Sequence, residues 1–129
     1  MTVEADLFAR ISTYAGFAAL AGTRVYFVSA PQNAHEPYAT FSRISSERHH
    51  LMGNDAGVVH ARFQFDAWGN TPDSARALLE VLRQAIQRHS GTNTVTIDDI
   101  LLENDLDHEK EDDSKTYHSS IDGIVIYRE

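Results

Sequence analysis

The 129-residue chain is acidic, with 19 Asp and Glu against 11 Lys and Arg, a formal net charge of −8 and no cysteine. The negative charge disfavours a sequence-independent grip on nucleic-acid phosphates, and the lack of cysteine excludes disulfides, thiolate nucleophiles and cysteine-based zinc sites. No apolar run approaches the roughly 20 residues that a membrane helix needs. The sequence therefore predicts one soluble domain over residues 1–129, with no membrane segment.

The first third of the chain predicts a helix, a strand and a loop. From Val3 to Leu20, apolar residues recur at spacings of three and four, which indicates one helix that ends near Gly22. Residues 23–28 (TRVYFV) are rich in β-branched and aromatic residues and indicate a strand. Residues 29–37 hold two of the three prolines, so we expect a loop there.

Two further strands are predicted in the middle of the chain. Residues 38–45 alternate between apolar and polar side chains, and residues 47–57 hold turn formers that indicate a long hairpin connection. Residues 58–68 alternate most clearly. One face carries Val59, Ala61, Phe63, Phe65 and Ala67, and the other carries His60, Arg62, Gln64, Asp66 and Trp68.

An amphipathic helix follows this strand. Thr71 is a suitable N-cap, Pro72 suits the first helical position, and Ser90-Gly91 is the predicted end. Strands are expected at 94–103 and 117–127, joined by an acid-rich connection at 104–115. The order α-β-β-β-α-β-β favours an α+β fold, with an antiparallel or mixed sheet, an N-terminal helix and one central amphipathic helix.

Histidines and acids raise the possibility of a metal site. The candidates are His49 and His50, together with Asp105, Asp107 and Glu109. Adjacent histidines on an extended segment project to opposite faces, and the acids lack the glycine and glutamate that complete a calcium loop. A solvated acidic loop is the favoured interpretation. No nucleophile elbow or phosphate-binding glycine motif is present, so we assign no catalytic, cofactor or metal residue.

Two features leave alternatives open. Residues 103–113 hold seven carboxylates and one lysine, which is typical of a solvated loop. In a ring, the acids Asp105, Asp107, Glu109 and Glu111 would instead line the opening or face a basic partner. Trp68, the only tryptophan, either covers a local hydrophobic edge or is buried against another subunit.

The chain resembles the tail-completion, or tail-terminator, proteins of long-tailed bacteriophages and prophages. Three segments carry the resemblance in order: LAGTRVYFVSAPQNAHEPYATFSRIS, HLMGNDAGVVHARFQFDAWGNTPDSARALLEVLRQAI and YHSSIDGIVIY. The A-P-Q loop followed by P-Y, and the Q-x-D-x-W strand that leads into a capped helix, are its most specific motifs.

The resemblance implies a structural virion protein without enzymatic activity or cofactor. It implies a homo-oligomeric ring, commonly a hexamer, that caps the head-proximal end of the tail tube and joins it to head-completion or connector proteins. DNA would pass through the ring without specific binding, and the protein would lie in the virion neck after assembly in the host cytoplasm. The alternatives are another head-tail connector, or a small metal-dependent hydrolase or ligand-binding α+β domain.

Overall fold

The computed structural model describes residues 2–31, 37–51, 54–108 and 117–128. Within these ranges, three helices pack on one face of a six-stranded mixed sheet, so the predicted α+β class is confirmed. In chain order the elements are α1 (Val3–Thr13), α2 (Ala15–Ala21), β1 (Val25–Phe27), β2 (Tyr38–Leu51), β3 (Asn54–Gly69), α3 (Pro72–Ile86), β4 (Gly91–Thr92), β5 (Thr96–His108) and β6 (Tyr117–Arg128).

The strands follow the order β1-β2-β3-β6-β5-β4 across the sheet. The short strand β1 pairs in parallel with β2, and every other neighbouring pair is antiparallel. β6, the last strand in the described sequence, therefore lies between β3 and β5 near the middle of the sheet. The two-residue strand β4 was not predicted.

The N-terminal helix is divided in two, which corrects the prediction of a single helix to Leu20. Tyr14 adopts an extended conformation with ψ 125° and separates α1 from α2. After the break, Phe17 of α2 is fully buried, whereas Ala18 is exposed. Gly22 caps α2 with φ 59° and ψ −122°, a positive-φ conformation that glycine adopts readily but that differs from the left-handed helical one expected at a helix end.

The central amphipathic helix starts where the sequence predicts. The Thr71 side chain accepts a hydrogen bond from the Ser74 amide at 3.0 Å, and Pro72 opens α3. The helix ends at Ile86, not at Ser90, because the Arg88 amide donates to the Ile100 carbonyl at 2.8 Å and directs the chain towards β5. No helix in the described ranges is long and apolar enough to cross a membrane.

Two connections are shorter than predicted because the strands continue into them. β2 runs to Leu51 and β3 starts at Asn54, so most of the expected 47–57 connection belongs to the two strands of the hairpin. β5 runs to His108 instead of ending at Glu103. Cross-strand pairing with β6, through Asp105 and Ile121 among others, extends the strand despite its charges.

The hydrophobic core lies between the helices and the inner face of the sheet. The five apolar residues of β3 are buried as predicted, and of the opposite, polar set only Asp66 is buried. Helix α3 contributes the six buried residues of its apolar face. The largest fully buried side chains are Leu7, Ile11, Phe17, Phe41, Phe63, Phe65, Leu78, Leu79, Leu82, Ile86 and Ile100, with Val3.

β5 and β6 approach closely at Gly123. A Cβ atom at this position would lie 2.6 Å from the Leu102 Cα and would also clash with the Leu101 backbone. The pairing register between the two strands shifts at the same level, between Leu102 and Asn104. A residue without a side chain is therefore required where the irregular part of β5 crosses β6.

Candidate functional site: the uncovered sheet face and the acidic end of β5

The sheet face opposite the helices is not covered by any element in the described part of the chain. On β3 this face carries the polar set of the predicted alternation, beside residues of β2, β5 and β6 at the same levels. A sheet face of this kind is available to another protein. The β3 residues on it are His60, Arg62, Gln64, Asp66 and Trp68.

Trp68 lies on this face within an aromatic stack. Its indole ring is parallel to the His118 imidazole, with ring centroids 3.9 Å apart and an interplanar angle of 2°. Tyr38 stacks at 6.0 Å, and Tyr26 meets Tyr38 edge-on at 6.1 Å. The indole N–H donates to the Thr40 hydroxyl at 3.2 Å. Trp68 is thus held by its own chain while part of its ring stays accessible.

A buried carboxylate lies beneath the stack. Asp66 is 8% exposed and accepts a hydrogen bond from the Gln64 amide at 2.9 Å. The His118 Nε2 atom is 2.7 Å from the same Asp66 oxygen. Because these contacts fix the imidazole plane, they also fix the surface against which Trp68 stacks.

A charged network links strands β3, β5 and β6 on the same sheet face. Arg62 of β3 contacts Glu103 of β5 at 2.8 Å and Asp122 of β6 at 3.3 Å. The hydrogen bond to Glu103, with the charges of both acids, outweighs burial and raises the pKa of Arg62. The other Asp122 oxygen, Oδ1, is buried without a hydrogen-bond partner among the described residues.

The acids Asp105 and Asp107 lie on strand β5 and not in a loop, which corrects the predicted connection at 104–115. Both contact Arg76 of α3, Asp107 at 3.6 Å. The hydrogen bond and positive charge of Arg76 lower the pKa of Asp105. The buried Ser119 hydroxyl donates to Asp107 at 2.6 Å. These acids are therefore fixed in place, although their side chains stay 43% and 68% exposed.

The remaining candidates are only partly described. Glu109 and Glu111 lie outside the described residues. His49 and His50 belong to β2 by their backbone, and their side chains are not among those described. Among the side chains that are described, no three His, Asp or Glu groups come close enough to share a metal ion.

Asp6 is a structural residue that the sequence interpretation missed. It is 5% exposed on α1. It accepts hydrogen bonds from the Thr94 hydroxyl at 2.6 Å and from the Val95 amide at 2.9 Å. Burial raises the pKa of Asp6, but the bonds from Thr94 and Val95 outweigh burial and lower it overall. Its spacing of three from Val3, on the apolar stripe, was the available signal.

A surface cavity of about 300 Å³ lies beside this contact, between α1 and the turn before β5. The Arg10 guanidinium on its wall donates to the Ala85 carbonyl at 2.6 Å, near the end of α3. Burial, with the charge of Arg10, lowers the pKa of His89. Arg10 thus satisfies a carbonyl at a helix C-terminus, which is a structural role.

Residues 5–128, nearly the whole chain, match the sequence profile of the family described as tail completion protein gp17. The chain belongs to this family. It is therefore a structural tail component of the phage type. A search of curated proteins gives no significant match.

The fold also resembles that of a solved virion protein, a chain from the "Virion of native gene transfer agent (GTA) particle". The TM-score is 0.73 at 14% sequence identity, and the match covers 95% of this chain and 90% of the other. At this identity the similarity concerns the fold alone.

Proposed function

We propose that this protein assembles as a homo-oligomeric ring, of six copies, that caps the head-proximal end of a phage tail tube and joins it to head-completion or connector proteins. Membership of the tail completion family over residues 5–128 carries the proposal. The neighbour in a gene transfer agent virion, with a TM-score of 0.73, is consistent with a place in the assembled particle.

The uncovered sheet face supports an assembly role. It presents a half-buried aromatic stack around Trp68 and a fixed charged network around Arg62. Aromatic residues and arginine are enriched in the buried centres of protein interfaces. Trp68 is accordingly the proposed contact with a neighbouring protein, either another copy or the next ring of the neck.

The acidic end of β5 is proposed to face the opening or a basic partner. Asp105 and Asp107 remain substantially exposed despite their contacts with Arg76. In the sequence, Glu109 and Glu111 extend the same run. A ring that repeats these carboxylates would repel DNA phosphates, so DNA would pass without being held. The protein acts as a scaffold in this role, with no catalytic step and no cofactor.

The first test is the solution mass by light scattering over a concentration series, with negative-stain images of any large species. A closed ring with six times the 14.4 kDa chain mass is the expected result. The measurement is repeated with purified tail tubes, in order to detect a ring that forms only on the end of a tube. A strict monomer under both conditions would overturn the proposal.

A further inference from the structure

The described sheet has two open strand edges, one on each side. β4 pairs with β5 only at Thr96 and Ile97. Further along β5, the Arg88 amide donates to the Ile100 carbonyl, and the Leu102 amide donates to the Gln87 side chain. Residues 103–108 of β5 have no described strand beside their outer edge. Open edges are templates for pairing with another chain.

The opposite edge is open for a similar reason. β1 pairs with β2 only at Ala39, Thr40 and Phe41. From residue 42 to residue 51, no strand in the described ranges lies beside the outer edge of β2. We propose that the open β5 edge of one copy pairs with the open β2 edge of the next, so that the sheets of a ring join into one continuous wall. This inference rests on the proposed ring.

The strand directions suit this pairing. β2, β3, β6 and β5 are neighbours in that order, and each step is antiparallel. β5 therefore runs opposite to β2. In a cyclic ring every copy has the same orientation about the axis, so β5 would meet the next β2 in an antiparallel pair. Antiparallel ladders are the commoner and slightly more stable form.

The offset between the two open edges also suits a closed ring. On the open β5 edge, Leu106 pairs with Ser120 of β6, which in turn pairs with Asp66 of β3. On the open β2 edge, Ser46 pairs with Ala61 of β3. The edges are thus about five residues apart along the strands, or about 17 Å. Four strands span about 19 Å, and strands tilted by 35–45° in a barrel shift by about 13–19 Å over that width.

Exposed apolar side chains mark both edges. Ile44 on β2 is 53% exposed and Leu106 on β5 is 60% exposed. Phe27 and Val28, 48% and 63% exposed, lie at the end of β1 beside β2. Large apolar side chains on an open edge invite aggregation unless a partner covers them. A second copy would cover them.

The charges favour pairing of a β5 edge with a β2 edge over pairing of two β5 edges. Residues 103–107 of β5 carry three carboxylates and no Lys or Arg. Residues 42–51 of β2 carry two arginines, of which Arg43 is paired with Glu4 at 2.8 Å, together with two histidines and one glutamate. Pairing β5 with a second β5 would bring six carboxylates together, and like charges on paired strands are destabilising. The contact is therefore heterologous, which is the type that closes a ring.

The test places a charge at each edge in turn. The variants Ile44→Asp and Leu106→Asp change exposed positions, so the melting temperature should remain close to that of the unmodified chain. Each should weaken self-association at least tenfold, because the interface loses a buried apolar side chain. Phe8→Asp and Leu20→Asp are matched controls, since both residues are 43% exposed and lie on helices and not on an edge strand. Should Ile44→Asp unfold, Ile44→Thr keeps a β-branched residue in the strand.

Mixing the two variants tests the pairing itself. An Ile44→Asp chain keeps its β5 edge and a Leu106→Asp chain keeps its β2 edge, so a mixture should form one good contact. We expect a species of twice the chain mass and nothing larger. Dimers of either variant alone, or no dimer in the mixture, would overturn the inference.

The wild-type result separates the two proposals. If the unmodified chain forms rings and both edge variants form them equally well, the edge pairing is wrong and the ring stands. If the unmodified chain stays monomeric alone and with tail tubes, both are wrong.

Discussion

Replacing Asp6 tests the contact between α1 and the turn before β5. Asp6→Ala removes the acceptor for the Thr94 hydroxyl and for the Thr94 and Val95 amides. Hydrogen bonds to a charged group contribute about 1.5–3 kcal/mol each. Thr94 is exposed, so its donors regain water, whereas the Val95 donor is half-buried. We expect a loss of about 2–4 kcal/mol in the free energy of unfolding at pH 7.

The loss should depend on pH. The bonds from Thr94 and Val95 outweigh burial and hold the pKa of Asp6 below its ordinary value. A carboxylate with a lowered folded pKa stabilises the protein above its unfolded pKa of about 3.9, and this contribution fades as pH falls through the folded pKa. The difference between wild type and Asp6→Ala should therefore be constant above about pH 5 and shrink below pH 4. Glu4, whose pKa is also lowered, is present in both proteins and cancels in this comparison.

Urea unfolding at several pH values, followed by the fluorescence of the single tryptophan, measures these differences. Asp6→Asn is the matched control. It keeps one acceptor oxygen and the size of the side chain but presents an N–H group to one of the donors, so an intermediate loss is expected. A loss below about 0.5 kcal/mol for Asp6→Ala at pH 7, or the same loss at pH 3 and pH 7, would refute the reasoning.

Three further outcomes are expected. Trp68→Ala should lower the free energy of unfolding in urea by about 2–3 kcal/mol, since it removes the stacking contacts and the bond to Thr40. Trp68→Phe keeps an aromatic ring but loses the indole N–H, so it should cost about 1 kcal/mol; equal losses for the two variants would contradict the contribution of the ring stack. Gly123→Ala should cost about 3 kcal/mol, because the added methyl group meets the β5 backbone; an unchanged melting temperature would disprove the close approach. Asp105→Asn should cost less than about 1 kcal/mol, because its contact with Arg76 is largely exposed; a larger drop in calorimetry would assign it a structural role.

Local sequence signals predicted the parts of the fold that depend on nearby residues. Thr71 and Pro72 specify the start of α3 through groups three residues apart, and the alternation around Phe63 and Phe65 identifies the inner face of β3. The α+β class follows from the order of these elements. The same alternation places Trp68 on the outer face.

The missed features depend on contacts distant in the sequence. The break at Tyr14 buries Phe17 against other elements, and the extension of β5 through Asp105 relies on pairing with β6 and on Arg76 of α3. The hydrogen bond from Thr94 to Asp6 joins residues 88 positions apart. Periodicity within one segment carries no information about such partners.

The position of β6 in the sheet determines when the fold can be completed during synthesis. Its neighbours β3 and β5 are both made earlier, and about 60 residues separate the end of β3 at Gly69 from the end of β6 at Arg128. At 5–20 residues per second, synthesis of that stretch takes several seconds, during which β3 has no partner on one side. A nascent chain thus has no complete sheet until β6 has been made, and shortening β6 would disrupt the middle of the sheet and not its edge. Synthesis of this stretch therefore sets the earliest time at which the fold can be completed.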